Sequence, residues 1–384
     1  MAGNISMEKI SGFFLYFKNN KERVVKVLVL LAIFLLSTYL RYRVFDEAGG
    51  DFESYRKAVE DFISGVNPYK WTVMTYEKPE KGLEHGYAYL PSLLYIQSLL
   101  YFFYDNFHIP LQRLWKLPIL ATDLGVGLLL CVLMFKKSFT VLLFSLIMWF
   151  FNPHFLLYGS YTNTEPITIF FVFLSLYFLG IKNKLSVLLY SLAISFKTYP
   201  IILIPIFFAI VKRKKLIIIG LLLFLIISIP FFKSTEDLVY YIKGSLLVHG
   251  ERGVQGRPIL SYISYYLQGY NISFLQYSFF KFYVYSALFS GGLLTIFLFY
   301  KKKVEDKYLL SSLSFFCFYI LTPVLNRTHL MWVMPIYIIA VFNRYFGKSP
   351  FKFYVLASAY YLFYLLYLMQ WSDGFDVYGD YLML

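Results

Sequence analysis

The chain has 384 residues, of which 59% are hydrophobic and 15% charged, and its formal net charge is +14. A soluble domain averages about 45–50% apolar and about 25% charged residues, so this composition excludes an ordinary soluble protein and predicts an all-α polytopic membrane protein. The positive charge does not indicate a nucleic-acid partner, because lysine and arginine lie in short blocks at the ends of apolar runs, as in proteins that face anionic lipids. No polar span is long enough for a separate domain, so residues 1–384 are predicted to form one integral-membrane domain.

Apolar runs long enough to form membrane helices recur through the chain. The run 185–211 is interrupted by Lys197-Thr198-Tyr199-Pro200. Because Pro200 lacks a backbone donor and a lysine in mid-membrane is costly, we expect two half-length helices here with Lys197 at their apex. Counted in this way, the chain is predicted to have about eleven spans. The other runs lie at 24–41, 113–135, 138–158, 165–181, 216–232, 279–300, 308–323, 329–346 and 351–371.

The basic blocks predict an orientation. When residues 87–104 are read as a helix along the membrane interface, every basic block falls on one side, which the positive-inside rule makes the cytosol. The N-terminus is then cytosolic, and 44–112 and 233–278 are two external loops, the first with juxtamembrane helices. Polar residues from separate loops and breaks should then converge on the external face. They are Asp51, Glu165, Lys197, His249 and His329.

The first external loop carries two acidic residues, Asp51 and Glu53, soon after the first apolar run. An ionisable group at a membrane site is costly to hold there and is by default a functional candidate, although Asp51 could instead pair with Arg43 or Arg56. The residues that follow have apolar positions at i, i+3, i+4 and i+7, which predicts an amphipathic helix that ends at Gly65. These positions are Tyr55, Ala58, Val59 and Phe62.

Glu165 and Lys197 are the next candidates along the chain. Glu165 follows Thr164 at a predicted helix start, so it also has a purely structural interpretation as part of a well-capped first turn. Lys197 lies inside an apolar run and needs a partner. That partner could be Glu165 or Asp51, or the phosphate of a lipid carrier.

Two further polar segments contain basic residues. Glycines with basic side chains suit a flexible anion-binding loop, and a solvated loop is the alternative. The chain has no nucleotide-binding glycine motif and no Cys/His metal spacing, so a donor substrate should be lipid-linked and no metal or cofactor is expected. The basic residues are His249, Arg252 and Arg257 in the first segment, and Arg327 and His329 in the second.

Several segments match the motifs of one family in the same order. They are Asp51 with Gly65-Val66-Asn67-Pro68-Tyr69, Tyr87-Ala88-Tyr89-Leu90-Pro91, Asn152-Pro153 with Asn163 and Glu165, Phe196-Lys197-Thr198-Tyr199-Pro200, and Asn326 to His329 with Trp332 and Pro335. On these residues the chain resembles the GT-C superfamily of integral-membrane glycosyltransferases, which use polyprenyl-phosphate sugars. The likeness is greatest to the mannosyltransferases that add the first mannose of glycosylphosphatidylinositol anchors and to their prokaryotic relatives. Gly49 stands where that family has the first acidic residue of its motif.

The resemblance implies a GT-C-like bundle and a metal-independent, inverting transfer of a sugar, with mannose expected, from a polyprenyl- or dolichyl-phosphate carrier to an acceptor hydroxyl. Asp51 would be the base that takes the proton of the acceptor. Glu53 and Glu165 would position the acceptor or Lys197. The other substrate-binding candidates are Lys197, Tyr199, His249, Arg252, Arg257, Arg327 and His329.

The expected partners are this lipid-linked donor, a lipid-linked or glycan acceptor, and membrane lipids. The acceptor stays open between a lipid-linked glycan, an inositol lipid and a cell-surface polymer. The location would be the plasma membrane of a prokaryote or the endoplasmic reticulum membrane of a eukaryote, with the active site on the non-cytosolic face. A flippase or transporter of lipid-linked sugars, which should show internal repeats, is an alternative, as is a polymerase or ligase of surface polysaccharide.

Overall fold

The computed structural model describes residues 21–49, 51–77, 86–153, 164–248, 255–259, 263 and 277–369, and most of them are helical. The helices are α1 (Lys21–Tyr42), α2 (Phe52–Ile63), α3 (Tyr69–Glu77), α4 (Pro91–Phe107), α5 (Leu111–Met134), α6 (Phe139–Phe150), α7 (Glu165–Phe178), α8 (Asn183–Phe196), α9 (Ile204–Ile210), α10 (Lys215–Ser228), α11 (Thr235–Tyr241), α12 (Tyr277–Tyr300), α13 (Lys307–Leu321), α14 (His329–Tyr345) and α15 (Pro350–Met369). A 3-10 turn precedes α9 (Tyr199–Leu203), another follows α10 (Ile229–Phe231), and a π-helical turn follows α11 (Ile242–Leu247). The two-residue strands β1 (Gln255–Gly256) and β2 (Val324–Leu325) pair in parallel.

Every apolar run predicted from the sequence contains a helix, so the all-α architecture is confirmed. Within the part of the chain that the structure describes, three helices, α1, α5 and α15, are long and apolar enough to cross a membrane. Further apolar helical segments among the described residues have 10–17 residues. The number of spans and the interfacial position of α4 therefore stay predictions.

The run 185–211 is broken where the sequence predicts a break. α8 ends at Phe196, the backbone of Lys197 is extended (φ −145°, ψ 148°), and the 3-10 turn that begins at Tyr199 leads into α9. Pro200 lies in the first turn of that element, where a missing N–H costs no helical hydrogen bond. Lys197 is thus held at the junction of two short helices, as predicted.

The buried apolar side chains form two clusters. The larger one joins α5, α6, α7 and α8 to α13, α14 and α15. The smaller one joins α2, α3 and α4, with Trp115 of α5 and with Phe231 and Tyr241. Tyr89, which lies just before α4, packs against both clusters. The junction of the two clusters is therefore next to this tyrosine.

α2 is the amphipathic helix that the apolar spacing predicts. Tyr55, Ala58 and Val59 are buried, and Phe62 packs against the same cluster. The helix ends before Gly65, whose φ of +79° is easily adopted only by glycine. The predicted pattern and its end are both confirmed.

α5 holds the loop that leads to Asp51. The Lys116 ammonium of α5 donates a hydrogen bond of 2.5 Å to the backbone oxygen of Glu47. Arg113, one turn earlier, pairs with Asp46, with Nη2 2.8 Å from Oδ2. Two side chains of one helix therefore fix the backbone a few residues before Asp51.

α1 is joined to the bundle by a buried ion pair. Among its residues only Ser37 and Arg41 are buried. The Arg41 guanidinium pairs with Asp123 of α5 and also donates to the Phe150 backbone oxygen at 3.0 Å, and both members of the pair are fully buried. The Trp149 indole N–H donates to the Asp123 backbone oxygen at 3.2 Å. Neither residue of this pair is a functional candidate from the sequence.

Helix ends that carry basic blocks lie next to one another. Lys26 of α1 has its ammonium 5.7 Å from the centre of the Phe139 ring, and Lys137 has its ammonium 5.5 Å from the Phe342 ring. Lys307, at the start of α13, donates to the backbone oxygen that follows α7, at 2.6 Å. These contacts bring the ends of several helices together, whereas the common side of the basic blocks and the orientation in a membrane stay predictions.

Candidate active site

Asp51 lies directly before α2 and is contacted by two tyrosines. The Tyr89 hydroxyl donates a hydrogen bond of 2.9 Å to Asp51 Oδ2, and the Tyr55 hydroxyl lies 3.5 Å from the same oxygen. Tyr89 is itself held by the Tyr69 hydroxyl, which donates to its backbone oxygen at 2.9 Å. The Asp51 side chain stays exposed, so one carboxylate is oriented by tyrosines and is still accessible.

Lys197 and Glu165 form an ion pair beside this carboxylate. The Lys197 ammonium lies 2.6 Å from Glu165 Oε1, and the two side chains are only 13% and 6% exposed. The same ammonium lies 4.8 Å from the centre of the Tyr89 ring, which is a favourable cation–π distance. Asp51, Tyr89, Lys197 and Glu165 therefore form one continuous cluster, called here the four-residue cluster.

Secondary structure explains how these groups meet. Glu165 is the first residue of α7 and Lys197 follows the last residue of α8, and these two helices pack side by side. The antiparallel arrangement brings the start of one helix next to the end of the other. α7 is about 21 Å long, so its opposite end, which contacts Lys307, is far from the four-residue cluster.

A stack of rings extends from this cluster. The Tyr199 ring lies on the Trp332 indole with 3.8 Å between centroids and 5° between planes. His329 has its ring 4.1 Å from Trp332, and its Nδ1 accepts a hydrogen bond of 3.1 Å from the backbone N–H of Asn326. Tyr199 begins the 3-10 turn that follows α8 and is only two residues after Lys197. Tyr199 and His329 are thus both brought to the region of the cluster.

Arg257 and Arg327 are placed by the strand pair. The backbone N–H of Arg257 donates to the Leu325 oxygen at 3.0 Å, two residues before Arg327. Gly256 has a φ of +72°, and a Cβ there would lie 2.0 Å from the Leu325 oxygen, so a larger residue would break this close approach. His329 begins α14 just after this pair, so the two arginines enter the region from adjacent backbones. His249 and Arg252 lie outside the described residues.

Glu53 is not brought into the four-residue cluster. Its carboxylate accepts a hydrogen bond of 2.7 Å from Arg56 Nη2, and the two side chains are 61% and 46% exposed. Arg56 also pairs with Glu60, at 3.1 Å. The alternative pairing of Arg56 with Asp51 is therefore not adopted.

The electrostatic setting keeps the hydroxyl of Tyr55 protonated. Burial, together with the neighbouring Tyr89 and the negative charge of Asp51, holds the pKa of Tyr55 well above its usual value. A cavity of about 20 Å³, with room for roughly one water molecule, is lined by apolar residues and by the polar side chains of Tyr55, Gln97, Gln112, Lys116 and Thr164. It lies between the elements that carry Asp51 and Glu165. The local environment therefore combines neutral donors with one partly buried cation, Lys197.

Tyr89 is the functional candidate that sequence reasoning missed. The resemblance includes the segment Tyr87-Ala88-Tyr89-Leu90-Pro91 but implies no role for Tyr89. The signal in the sequence is its position two residues before a helix that begins at Pro91. That signal alone does not show which loop Tyr89 contacts.

The cluster offers an accessible proton acceptor beside a cation that can attract an anion. Within the described residues, no three His, Cys, Asp or Glu side chains are grouped closely enough to hold a metal ion.

Comparison of the chain with protein-family models, with curated proteins and with solved structures found no match.

Proposed function

We propose that this protein is a membrane glycosyltransferase of the GT-C type. It transfers a hexose, with mannose as the favoured sugar, from a polyprenyl- or dolichyl-phosphate carrier to an acceptor hydroxyl. The observation that carries the proposal is the four-residue cluster, in which an exposed carboxylate and a partly buried cation from distant segments are joined through Tyr89. Such a transfer needs one base for the incoming hydroxyl and one positive group for the departing phosphate.

In the proposed reaction, Asp51 takes the proton of the acceptor hydroxyl as its oxygen attacks the anomeric carbon. A new glycosidic bond forms while the bond from that carbon to the phosphate oxygen breaks. The electron pair of the broken bond stays with the phosphate, and the carrier leaves as a polyprenyl phosphate. Attack from the opposite face inverts the anomeric centre through an oxocarbenium-like transition state. The proton ends on Asp51 and later passes to water.

Lys197 stabilises the charge that develops on the departing phosphate. In the structure its ammonium is neutralised by the buried Glu165 carboxylate, so neither charge stands alone in a largely apolar setting. When a phosphate binds, it can share or replace Glu165 as the partner of Lys197. Arg257 and Arg327, whose backbones lie near this region, are further candidates for the phosphate. We also propose that four more residues bind substrate: Tyr199, His329, and His249 and Arg252, which lie outside the described residues.

The membrane is the proposed location because the donor is a lipid. We propose that the cluster faces the lumenal or extracellular side, since the basic blocks lie at the other ends of helices such as α7 and α8. The acceptor is a lipid-linked or glycan hydroxyl.

The test compares wild type with Asp51→Asn and with the matched control Asp105→Asn, which alters an exposed aspartate at the end of α4. Each purified protein receives polyprenyl-phosphate mannose, or the glucose-loaded carrier, with a membrane lipid extract as the acceptor source. Release of bare carrier phosphate is measured. We expect release by wild type and control, and a fall of about 10²–10⁴-fold in Asp51→Asn. No release from either donor by wild type overturns the transferase proposal, and normal release by Asp51→Asn removes this residue from the mechanism.

A further inference from the structure

Two buried hydrogen-bond donors next to the cluster have no partner among the residues that the structure describes. Tyr199 and Trp332 are 7% and 6% exposed, yet the tyrosine hydroxyl and the indole N–H meet no acceptor in the described part of the chain. Two other buried donors of the same kinds are paired. The Tyr190 hydroxyl donates to the Pro200 oxygen at 2.7 Å, and the Trp149 indole donates to Asp123. Buried polar groups are nearly always paired, so the Tyr199–Trp332 pair points to an outside acceptor.

The geometry restricts where such an acceptor can bind. The two rings are parallel and 3.8 Å apart, so each covers one face of the other. Phe315 and Phe318 pack nearby, with centroids 6.0 Å from Tyr199 and 6.4 Å from Trp332, respectively. A polar ligand therefore contacts the polar edges of the rings and not their faces. One of these edges belongs to Tyr199, two positions after Lys197. The other belongs to Trp332, whose ring contacts His329.

The chemistry of the two hydrogen-bond donors indicates which part of a lipid-linked sugar they would bind, the sugar or the phosphate. A phosphate carries negative charge and is best held by cations such as Lys197. The hydroxyl and the indole N–H are neutral, and neutral donors at fixed positions in an apolar wall suit the hydroxyl oxygens of a sugar. A sugar attached to a phosphate at Lys197 would lie close to Tyr199, two residues further along the chain, and to Trp332, which stacks on Tyr199.

We propose that the Tyr199 hydroxyl and the Trp332 indole N–H bind hydroxyl oxygens of the hexose on the lipid-linked donor. They form a sugar subsite by which the protein distinguishes the sugar-loaded carrier from the bare carrier phosphate. This inference rests on the proposed function and adds to it a role for Trp332.

The test measures binding of two probes, polyprenyl-phosphate mannose and bare polyprenyl phosphate, to the full-length protein in detergent. Tyr199→Phe and Trp332→Phe each remove one donor and keep an aromatic ring, and Tyr190→Phe and Trp149→Phe are the matched controls. Wild type should bind the loaded carrier more tightly than the bare one. Each site variant should lose about 3- to 10-fold in affinity for the loaded carrier only, whereas the controls should keep the preference.

A second measurement separates this role from a purely structural one. Without any carrier, Tyr199→Phe should be at least as stable as wild type, because it removes a buried hydroxyl that has no acceptor. Tyr190→Phe should be less stable, because it leaves the Pro200 oxygen without its donor. A stability loss in Tyr199→Phe equal to that in Tyr190→Phe contradicts the subsite.

The remaining outcomes are distinct. An equal loss for both carriers, or no loss for either, overturns the sugar subsite, and so does a wild type without a preference for the loaded carrier. Sugar-dependent binding through Tyr199 and Trp332 without any transfer supports the subsite and overturns the transferase. Transfer that depends on Asp51 but is unaffected by Tyr199→Phe and Trp332→Phe supports the transferase and overturns the sugar subsite. A wild type that binds neither carrier removes both proposals.

Discussion

Replacement of Lys197 by methionine tests whether its ion pair is structural, catalytic or both. The ammonium lies 2.6 Å from Glu165 Oε1, and the two side chains are 13% and 6% exposed. Methionine has nearly the same length but no charge, so the buried Glu165 carboxylate loses this cation. Removal of one member of a buried pair costs about 3–5 kcal/mol, and we expect the free energy of unfolding to fall by that amount.

The double variant Lys197→Met/Glu165→Gln completes the cycle. Glu165→Gln alone leaves the cation without this carboxylate and should be destabilised to a similar degree. When both charges are removed, neither is left alone, so the losses should not add, and we expect a coupling energy of about 1.5–3 kcal/mol. Transfer activity should stay low in the double variant, because the phosphate still lacks its cation.

Unfolding can be followed by tryptophan fluorescence during titration with sodium dodecyl sulfate in mixed micelles, and activity by release of carrier phosphate. Arg56→Met, which breaks an exposed pair with Glu53, is the control and should cost less than about 1 kcal/mol. Additive losses at Lys197 and Glu165, with a coupling below about 0.5 kcal/mol, would refute the ion-pair argument. Activity that returns together with stability in the double variant would refute a direct role for Lys197 at the phosphate.

Three further variants test other contacts. Arg41→Met or Asp123→Leu should each lower the free energy of unfolding by about 3–5 kcal/mol in the same titration, and a loss below about 1 kcal/mol would contradict a buried structural pair. Gly65→Ala should cost about 1–2 kcal/mol through its φ of +79° alone, since nothing lies within 4 Å of the added Cβ, so unchanged stability would contradict the strain argument. Tyr89→Phe keeps the ring near Lys197 but removes the donor to Asp51, so the rate of transfer should fall about tenfold with the donor KM unchanged, and an unaltered rate would show that this hydrogen bond does not matter.

Local features of the fold could be predicted from the sequence because their causes are local. The α2 helix follows from the spacing of Tyr55, Ala58 and Val59, which fits a period of 3.6 residues. The break after α8 follows from Lys197 and Pro200 within one apolar run. The structure contains both this break and the α2 helix. In each case the determining residues are within a few positions of the feature.

Contacts between distant segments could not be predicted in the same way. Charge bias suggested that Asp51, Glu165 and Lys197 share a side, but it did not identify Tyr89 as the group between them. Charge bias also could not show which of Asp51 and Glu53 faces the cluster. Residues two positions apart at a helix start differ by about 200° in direction around the axis, so only one of them can face it. Helix packing, which the pattern of apolar residues leaves open, makes that distinction.

The Arg41–Asp123 pair has a consequence for biosynthesis. The two residues are 82 positions apart, so in the proposed topology the ribosome completes α1 well before it makes the counter-charge of Arg41. During this interval the long guanidinium side chain, in the last turn of α1, can extend to the lipid headgroups. Lateral docking of α1 becomes favourable only after α5 has entered the bilayer. The order of synthesis therefore delays assembly of the first helix, and a nascent chain that stops before α5 leaves α1 undocked.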